Sequence, residues 1–230
     1  MENSVRLLST LALMGAVRSL AGKYEAAGGA RIDADFAPTL RLLDRLHDGE
    51  TADVVILTRE GLAALVANAS VVEESCVELA RSFVGLAVRG GTAHPDITTE
   101  AALRATLLGA RSIAYSGLGA SGIFFAQLIA QMGIKADINA RATIIPQGFT
   151  AERLVSGEAD LAVQQISELK QVIGVEIVGP IPLHLQSPAV FSAGRLTRST
   201  KVEQSDALLN FLASAEAAPA LRESGLEPCR

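Results

Sequence analysis

The sequence predicts an α/β protein of two similar lobes, each a largely parallel sheet flanked by helices, with a ligand cleft between them. Three observations predict it. Short apolar runs alternate with helical patterns, the order expected where parallel strands are joined by helical crossovers. Ser9, Gly15 and Asp53 return as Ser116, Gly122 and Asp160, each 107 residues later. The run Arg45-Leu46-His47-Asp48-Gly49-Glu50-Thr51-Ala52-Asp53 is echoed, one residue shorter, by Arg153-Leu154-Val155-Ser156-Gly157-Glu158-Ala159-Asp160, and an apolar stretch follows each copy. A register kept over half a chain implies duplication, and two facing copies make the kind of cleft that holds a small molecule.

Taken in order, Val5–Leu8, Arg31–Phe36 and Asp53–Leu57 read as strands, and Gly15–Ala27, Leu40–His47 and Glu60–Ala67 as helices. Ser82–Val88 reads as a further strand. The second copy repeats the order, with strands at Ser112–Tyr115, Thr143–Ile145, Leu161–Gln165 and Val175–Val178. Its helices are expected at Ser121–Met132, Phe149–Val155 and Ile166–Gln171. A strand at Val190–Ala193 precedes helices at Val202–Leu212 and Ala215–Arg222, which are apolar at helical spacing. The chain is thus expected to leave the first lobe near Ser82 and return near Val190, giving a discontinuous lobe of residues 1–82 plus 190–230 and a second lobe of 83–189.

Composition narrows the function. Of 230 residues 49% are hydrophobic and only 4% aromatic, so the cores must be built from Ala, Leu, Ile and Val. The net charge of −5 comes with no basic stripe, which argues against a nucleic-acid partner. No apolar run is long enough to span a membrane. Leu7–Val17 is apolar and follows a lone Arg6, but no small-residue cleavage site follows, so it reads as strand and helix rather than as a leader. That reading predicts a cytoplasmic protein, or a periplasmic one if a leader has been removed. Cys76 and Cys229 are too few for a disulfide framework. His47, His94 and His184 are not at metal-ligand spacing, and neither a metal nor another cofactor is expected.

Ligands of open parallel sheets bind outside the carboxyl ends of the strands. In the first lobe those ends carry Ser9, Thr10 and Leu11, then Thr39 and Leu40, then Thr58. In the second they carry Ser116, Gly119, Ala120 and Ser121, then Gly148 and Phe149, then Gln165. These thirteen residues are the candidate ligand-binding set. Their chemistry is hydroxyls, glycines and the unpaired N–H groups of helix N-termini, which together hold an anion without Lys or Arg. Gly117, Gly119 and Gly122 match a G-x-G-x-x-G spacing, but no acidic residue stands where a dinucleotide ribose would need one. No catalytic pair is evident. Tyr115, Arg41 and Glu168 lie near the strand ends and could move a proton, although Arg41 and Glu168 read first as charges on helix surfaces.

At Gly49-Glu50-Thr51-Ala52-Asp53-Val54-Val55-Ile56, Ser112-Ile113-Ala114-Tyr115-Ser116 and Gly157 through Glu168 the chain resembles the molybdate-binding-protein-like family of type II periplasmic binding proteins. Phe211-Leu212-Ala213-Ser214-Ala215-Glu216-Ala217-Ala218 fits as well. The resemblance covers nearly the whole chain and implies the two-lobed fold. At the ligand positions the chain departs from molybdate binders, with Ala12 and Pro38-Thr39 where they place serines and Gln165 where they place a tyrosine. The segment Gln164-Gln165-Ile166-Ser167-Glu168 is closer to the branch of the family that includes aconitate isomerase. The resemblance therefore implies a solute-binding-protein-like molecule for a small anion, foremost an organic di- or tricarboxylate. The alternative is an isomerase shifting a double bond in an unsaturated carboxylate. A molybdate or tungstate receptor comes third, and an ABC transporter is a partner only if the chain is exported.

Overall fold

The computed structural model describes residues 4–229; the starting Met1, the rest of 1–3, and Arg230 lie outside the described residues. The chain divides into two compact units, one of residues 4–82 with 189–229 and one of Phe83–Pro188.

In chain order, β1 (Ser4–Ser9) leads through a short turn at Leu11–Leu13 into α1 (Met14–Ala26). β2 (Arg31–Phe36), α2 (Thr39–His47), β3 (Val54–Thr58), α3 (Arg59–Ala67) and β4 (Val77–Ser82) follow. The second unit opens with β5 (Val84–Arg89), α4 (Glu100–Gly109) and β6 (Ile113–Ser116). It continues through α5 (Ala120–Gln131), α6 (Lys135–Asn139), β7 (Thr143–Ile145), α7 (Glu152–Val155), β8 (Leu161–Gln165), α8 (Ile166–Leu169) and β9 (Val175–Pro180). The chain then returns to the first unit with β10 (Ala189–Arg195), α9 (Val202–Leu212), α10 (Ala218–Glu223) and β11 (Glu227–Pro228).

The two sheets run β11-β4-β10-β3-β1-β2 and β7-β6-β8-β5-β9. β1 lies parallel between β2 and β3, and β6 lies parallel between β7 and β8. These are the strands joined through helices, as a parallel pair requires. The sheets are otherwise antiparallel, which corrects the expectation of largely parallel sheets. β10 pairs antiparallel with β3 and β4, β11 with β4, and β5 with both β8 and β9. Strands brought in from elsewhere in the chain carry no crossover, and nothing forces their direction to match. The strand expected over Ser82–Val88 is β5, which starts at Val84; β4, ending at Ser82, was not expected, and at Phe83 the chain passes from one unit's sheet to the other's. Two helices escaped the pattern. α4 starts at Thr99, whose hydroxyl oxygen accepts from the Ala102 N–H at 3.1 Å, and α6 is a five-residue piece.

Each sheet is covered on both faces, and strand alternation divides its core. In β3, Val54 and Ile56 pack with α1, α9 and α10 while Val55 and Leu57 pack with α2 and α3. In β8, Leu161 and Val163 join the larger cluster while Ala162 faces the smaller one with α7 and α8. Burial on both faces is why these strands read as unbroken apolar runs. The start that superficially resembled a leader is core, with Leu7, Leu8 and Leu20 fully buried.

The echoed segment is scaffold. In each copy a helix ends in a left-handed glycine, Gly49 (φ 96°) or Gly157 (φ 78°), a conformation that costs a side-chain-bearing residue about 1 kcal/mol or more. In each copy an arginine on the helix grips the glutamate after the glycine: Arg45 donates to Glu50 at 2.5 and 2.6 Å, and Arg153 to Glu158 at 3.0 Å. Asp53 then accepts from the Arg6 N–H of β1, and Asp160 from the Arg111 N–H just ahead of β6, each at 2.9 Å. Arg45 also reaches Asp35 at 2.5 Å and holds the carboxyls of both Asp35 and Glu50 below the usual range.

These contacts rank the two copies. Arg45 meets two carboxylates and is the less exposed arginine, so Arg45→Met should cost about 1–2 kcal/mol in urea unfolding, and Arg153→Met well under 1 kcal/mol.

Candidate functional site

In the first unit three parallel strands end side by side. The Thr10 N–H donates to Ile56 O and the Ala37 N–H to Ser9 O, which locks the ends of β1, β2 and β3 together. Ser9 is fully buried and its hydroxyl donates to Thr10 O at 3.1 Å, so it serves the backbone. Thr10 is also buried, and its Oγ1 has no hydrogen-bond partner among the described residues. Leu11 and Ala12 are buried in the turn before α1. Thr39 opens α2 and its Oγ1 accepts from the Thr58 N–H at 3.5 Å; Leu40 beside it is exposed. Thr58 ends β3 and caps α3, its Oγ1 accepting from the Gly61 N–H at 3.2 Å. Gly61 must be glycine, because a Cβ would lie 2.7 Å from Thr39 Cγ2.

The second unit repeats the layout with different chemistry. Ser116 ends β6, and its Oγ accepts from the Gly119 N–H at 2.9 Å. Gly119 precedes Ala120 and Ser121, the first residues of α5, whose backbone N–H groups precede the helix's own ladder. Gly122 is dictated by sterics, since a Cβ would stand 1.6 Å from Ser116 O. Beyond β7, Gly148 takes φ 90° and Phe149 is half-buried. Gln165 is the last residue of β8 and, like Thr58, the cap of the following helix. Its side chain makes no cap bond, and its Oε1 is buried without a partner among the described residues.

The thirteen sequence-derived residues thus fall into two groups, six at the strand ends of the first unit and seven at those of the second. Of the three candidate proton carriers, Tyr115 turns into the second unit's core, where its hydroxyl donates to Asn139 at 2.7 Å and burial raises its pKa. Arg41 is exposed on α2. Glu168 overturns the reading as a surface charge. It is 8% exposed, and burial pushes its carboxyl up to about 8 against the opposing pull of donors from the Gln165 backbone N–H and the Gln164 amide.

Gln164 and Thr150 were absent from the candidate set. Gln164 Oε1 accepts from the Thr150 N–H and hydroxyl at 2.8 and 3.0 Å, and its Nε2 donates to Gly148 O at 2.9 Å. A glutamine within the apolar strand Leu161-Ala162-Val163 was the available signal, because a buried amide needs four partners close by. Among the described residues no group of His, Cys, Asp and Glu could hold a metal.

A family model described as bacterial extracellular solute-binding protein matches residues 5–227. The chain belongs to that family. It is 38% identical to an aconitate isomerase from Pseudomonas sp over 231 residues, 98% of this chain and 88% of that protein. Solved structures with the same fold include the periplasmic molybdate-binding protein of Azotobacter vinelandii (TM-score 0.81, 16% identity, 96% of this chain and 98% of that one). The sulfate-binding protein SubI of Mycobacterium tuberculosis also shares it (0.76, 18%, 99% and 87%). The fold is that of periplasmic binding proteins, and no helix among the described residues is long and apolar enough to cross a membrane. The expectation of a cytoplasmic protein finds no support in these relatives, whose family description is extracellular.

Two outcomes follow from the geometry. Gly122→Ala drives a methyl group into the Ser116 carbonyl and should displace the Ser116–Ser121 loop, lowering the melting temperature and any ligand affinity together. Glu168 keeps in the folded state a proton that the unfolded chain gives up near pH 4.5. The associated stability is complete below that pH and is lost as pH rises through about 8, a change of roughly 5 kcal/mol. Glu168→Gln carries no such titration, so urea unfolding across this range should show it gaining on the native protein as pH rises. Parallel curves would mean that Glu168 is already ionised.

Proposed function

We propose that the protein binds a small organic polycarboxylate of the aconitate class at the carboxyl ends of its parallel strands. The observation that carries this reading is Gln165. Its buried amide offers two N–H donors and an acceptor oxygen that lacks a partner among the described residues. A fully deprotonated inorganic oxyanion presents acceptors only and leaves such a carbonyl unpaired, at about 1–3 kcal/mol. An organic acid with a hydroxyl beside its carboxylates can bring an O–H to it, while the ionised carboxylates themselves go to the N–H donors. Ala12 points the same way, bringing no hydroxyl to the turn before α1. In the first unit the candidate contacts are Thr10, Thr39 and Thr58. In the second they are Ser116 with the N–H groups of Gly119, Ala120 and Ser121, the loop at Gly148 and Phe149, and Gln165.

A second reading, that the protein isomerises the ligand's double bond, is favoured by 38% identity to an aconitate isomerase across 98% of the chain. That reaction moves a proton between carbons and needs a base in contact with the substrate. The extracellular description of the family supports an exported protein. An ABC importer is then the partner that would take the ligand onward.

Titration calorimetry with cis- and trans-aconitate, citrate, sulfate and molybdate tests the first reading. Aconitate should bind with Kd near or below about 10 μM, roughly −7 kcal/mol, while molybdate stays silent. Tight molybdate binding with no response to any carboxylate would sink it. Ultraviolet absorbance of the same incubations reports turnover, and a flat trace retires the isomerase. Gln165→Leu should weaken aconitate binding about tenfold or more without lowering the melting temperature.

A further inference from the structure

We propose that Gln186 is a positioning residue of the second unit's strand ends: it clamps both backbone groups of Val84, the residue directly opposite Gln165, and so sets the direction of the Gln165 amide. The inference rests on the carboxylate-binding reading above and adds a residue to it. Three observations carry it.

The first is that packing, not hydrogen bonding, orients Gln165. Its side chain makes no cap bond, and its Oε1 is buried without a partner among the described residues. Toward β6 the register sets Tyr115 opposite Val163 and runs on to Gly117, which has no side chain. Toward β5 it sets Val84 opposite Gln165. The Ile166 N–H donates to Phe83 O at 2.9 Å, and bonds in an antiparallel ladder alternate, so Val84 and Gln165 are a pair that exchanges no backbone bonds. The side chains of such a pair share a face and approach most closely. Val84 is buried in the cluster that holds Leu86, Val163 and Ile181, and it is the wall beside the amide.

The second is how Val84 is held. Its N–H and C=O point away from β8, toward β9. β9 reaches only to Pro180, level with Gly85. Just beyond, the Ile181 N–H donates to Val84 O at 2.9 Å. A regular ladder would return the Val84 N–H to Ile181 O. Here the Gln186 amide stands between the two. Its Oε1 accepts from the Val84 N–H at 2.9 Å, and its Nε2 donates to Ile181 O at 2.5 Å and to Val84 O at 3.1 Å. One amide thus serves three backbone groups at the end of the sheet edge, 102 residues along the chain from Val84.

The third is the contrast with Gln164. Strand alternation turns its side chain to the opposite face, and its amide is fixed there by the Thr150 N–H and hydroxyl and by Gly148 O. None of these groups belongs to the Gln186 clamp. A disturbance of Val84 should therefore reach Gln165 and spare its neighbour.

The experiment compares the native protein with Gln186→Leu, Gln165→Leu and the double variant. In the first arm the side-chain NH2 resonances of the ligand-free proteins are recorded by NMR. Gln186→Leu should shift or broaden those of Gln165 and leave those of Gln164 in place. In the second arm trans-aconitate and citrate are titrated by calorimetry. Gln186→Leu should raise Kd about tenfold, whereas adding it to Gln165→Leu should cost less than about twofold, because it acts through that residue. Gln186→Glu keeps the acceptor for the Val84 N–H and loses both donors. It should give the same selective shift with a loss of about threefold, and it carries the test if Gln186→Leu does not fold. Gln164 and Gln165 resonances that move together, or neither moving, overturn the positioning role, as do losses that multiply in the double variant. A selective shift with unchanged Kd overturns the effect on the ligand. A selective shift with no heat from either acid on the native protein upholds the hold on Gln165 and retires the carboxylate reading instead.

Discussion

One constraint governs both sets of strand ends. A strand buried on both faces must turn into a helix without leaving its last backbone groups unpaired. β3 and β8 are such strands, with every residue buried, and each passes directly into a helix. The first turn of a helix has N–H groups that its own ladder cannot satisfy. The residue ending the strand must solve this, or a neighbour must. Thr58 solves it with its own hydroxyl; after Gln165 the Ile166 N–H goes instead to Phe83 O, at the crossing between the sheets. The choice decides which side chain is consumed by structure and which keeps its own hydrogen-bonding groups.

That choice also explains what could be read from the chain and what could not. Elements whose apolar spacing is set by burial were legible: β3 and β8 as unbroken apolar runs, α9 by its helical period, and the paired Gly49-Glu50 and Gly157-Glu158 turns by their glycines. α4 and α6 were not, because in the first the signal is a single capping threonine and the second is barely more than one turn. Strand direction was misjudged for β10 and β5, since local sequence records a crossover only between consecutive strands. At the candidate site, which loops end the parallel strands could be read from the repeat. Which hydroxyls are spent on the backbone could not. Ser9 and Thr10 are neighbours of similar chemistry, yet one bonds the main chain and the other keeps an unpartnered oxygen among the described residues. Glu168 was misjudged for a related reason: in a helix of four residues, no periodicity separates a buried face from an exposed one.

The charge balance at the strand ends bears on selectivity. None of the thirteen candidate residues is charged, so an anion held there relies on N–H dipoles, hydroxyls and one amide. Such a surface discriminates by the pattern of donors and acceptors rather than by net attraction. A carbonyl oxygen at Gln165 is then as informative as any donor, because it penalises ligands that bring only lone pairs. Gln164, one residue earlier, spends its amide on the Thr150 N–H and hydroxyl and on Gly148 O, which fixes the loop beyond β7. Of two adjacent glutamines with the same chemistry, one is thus consumed by structure and Gln165 keeps a buried acceptor without a partner among the described residues.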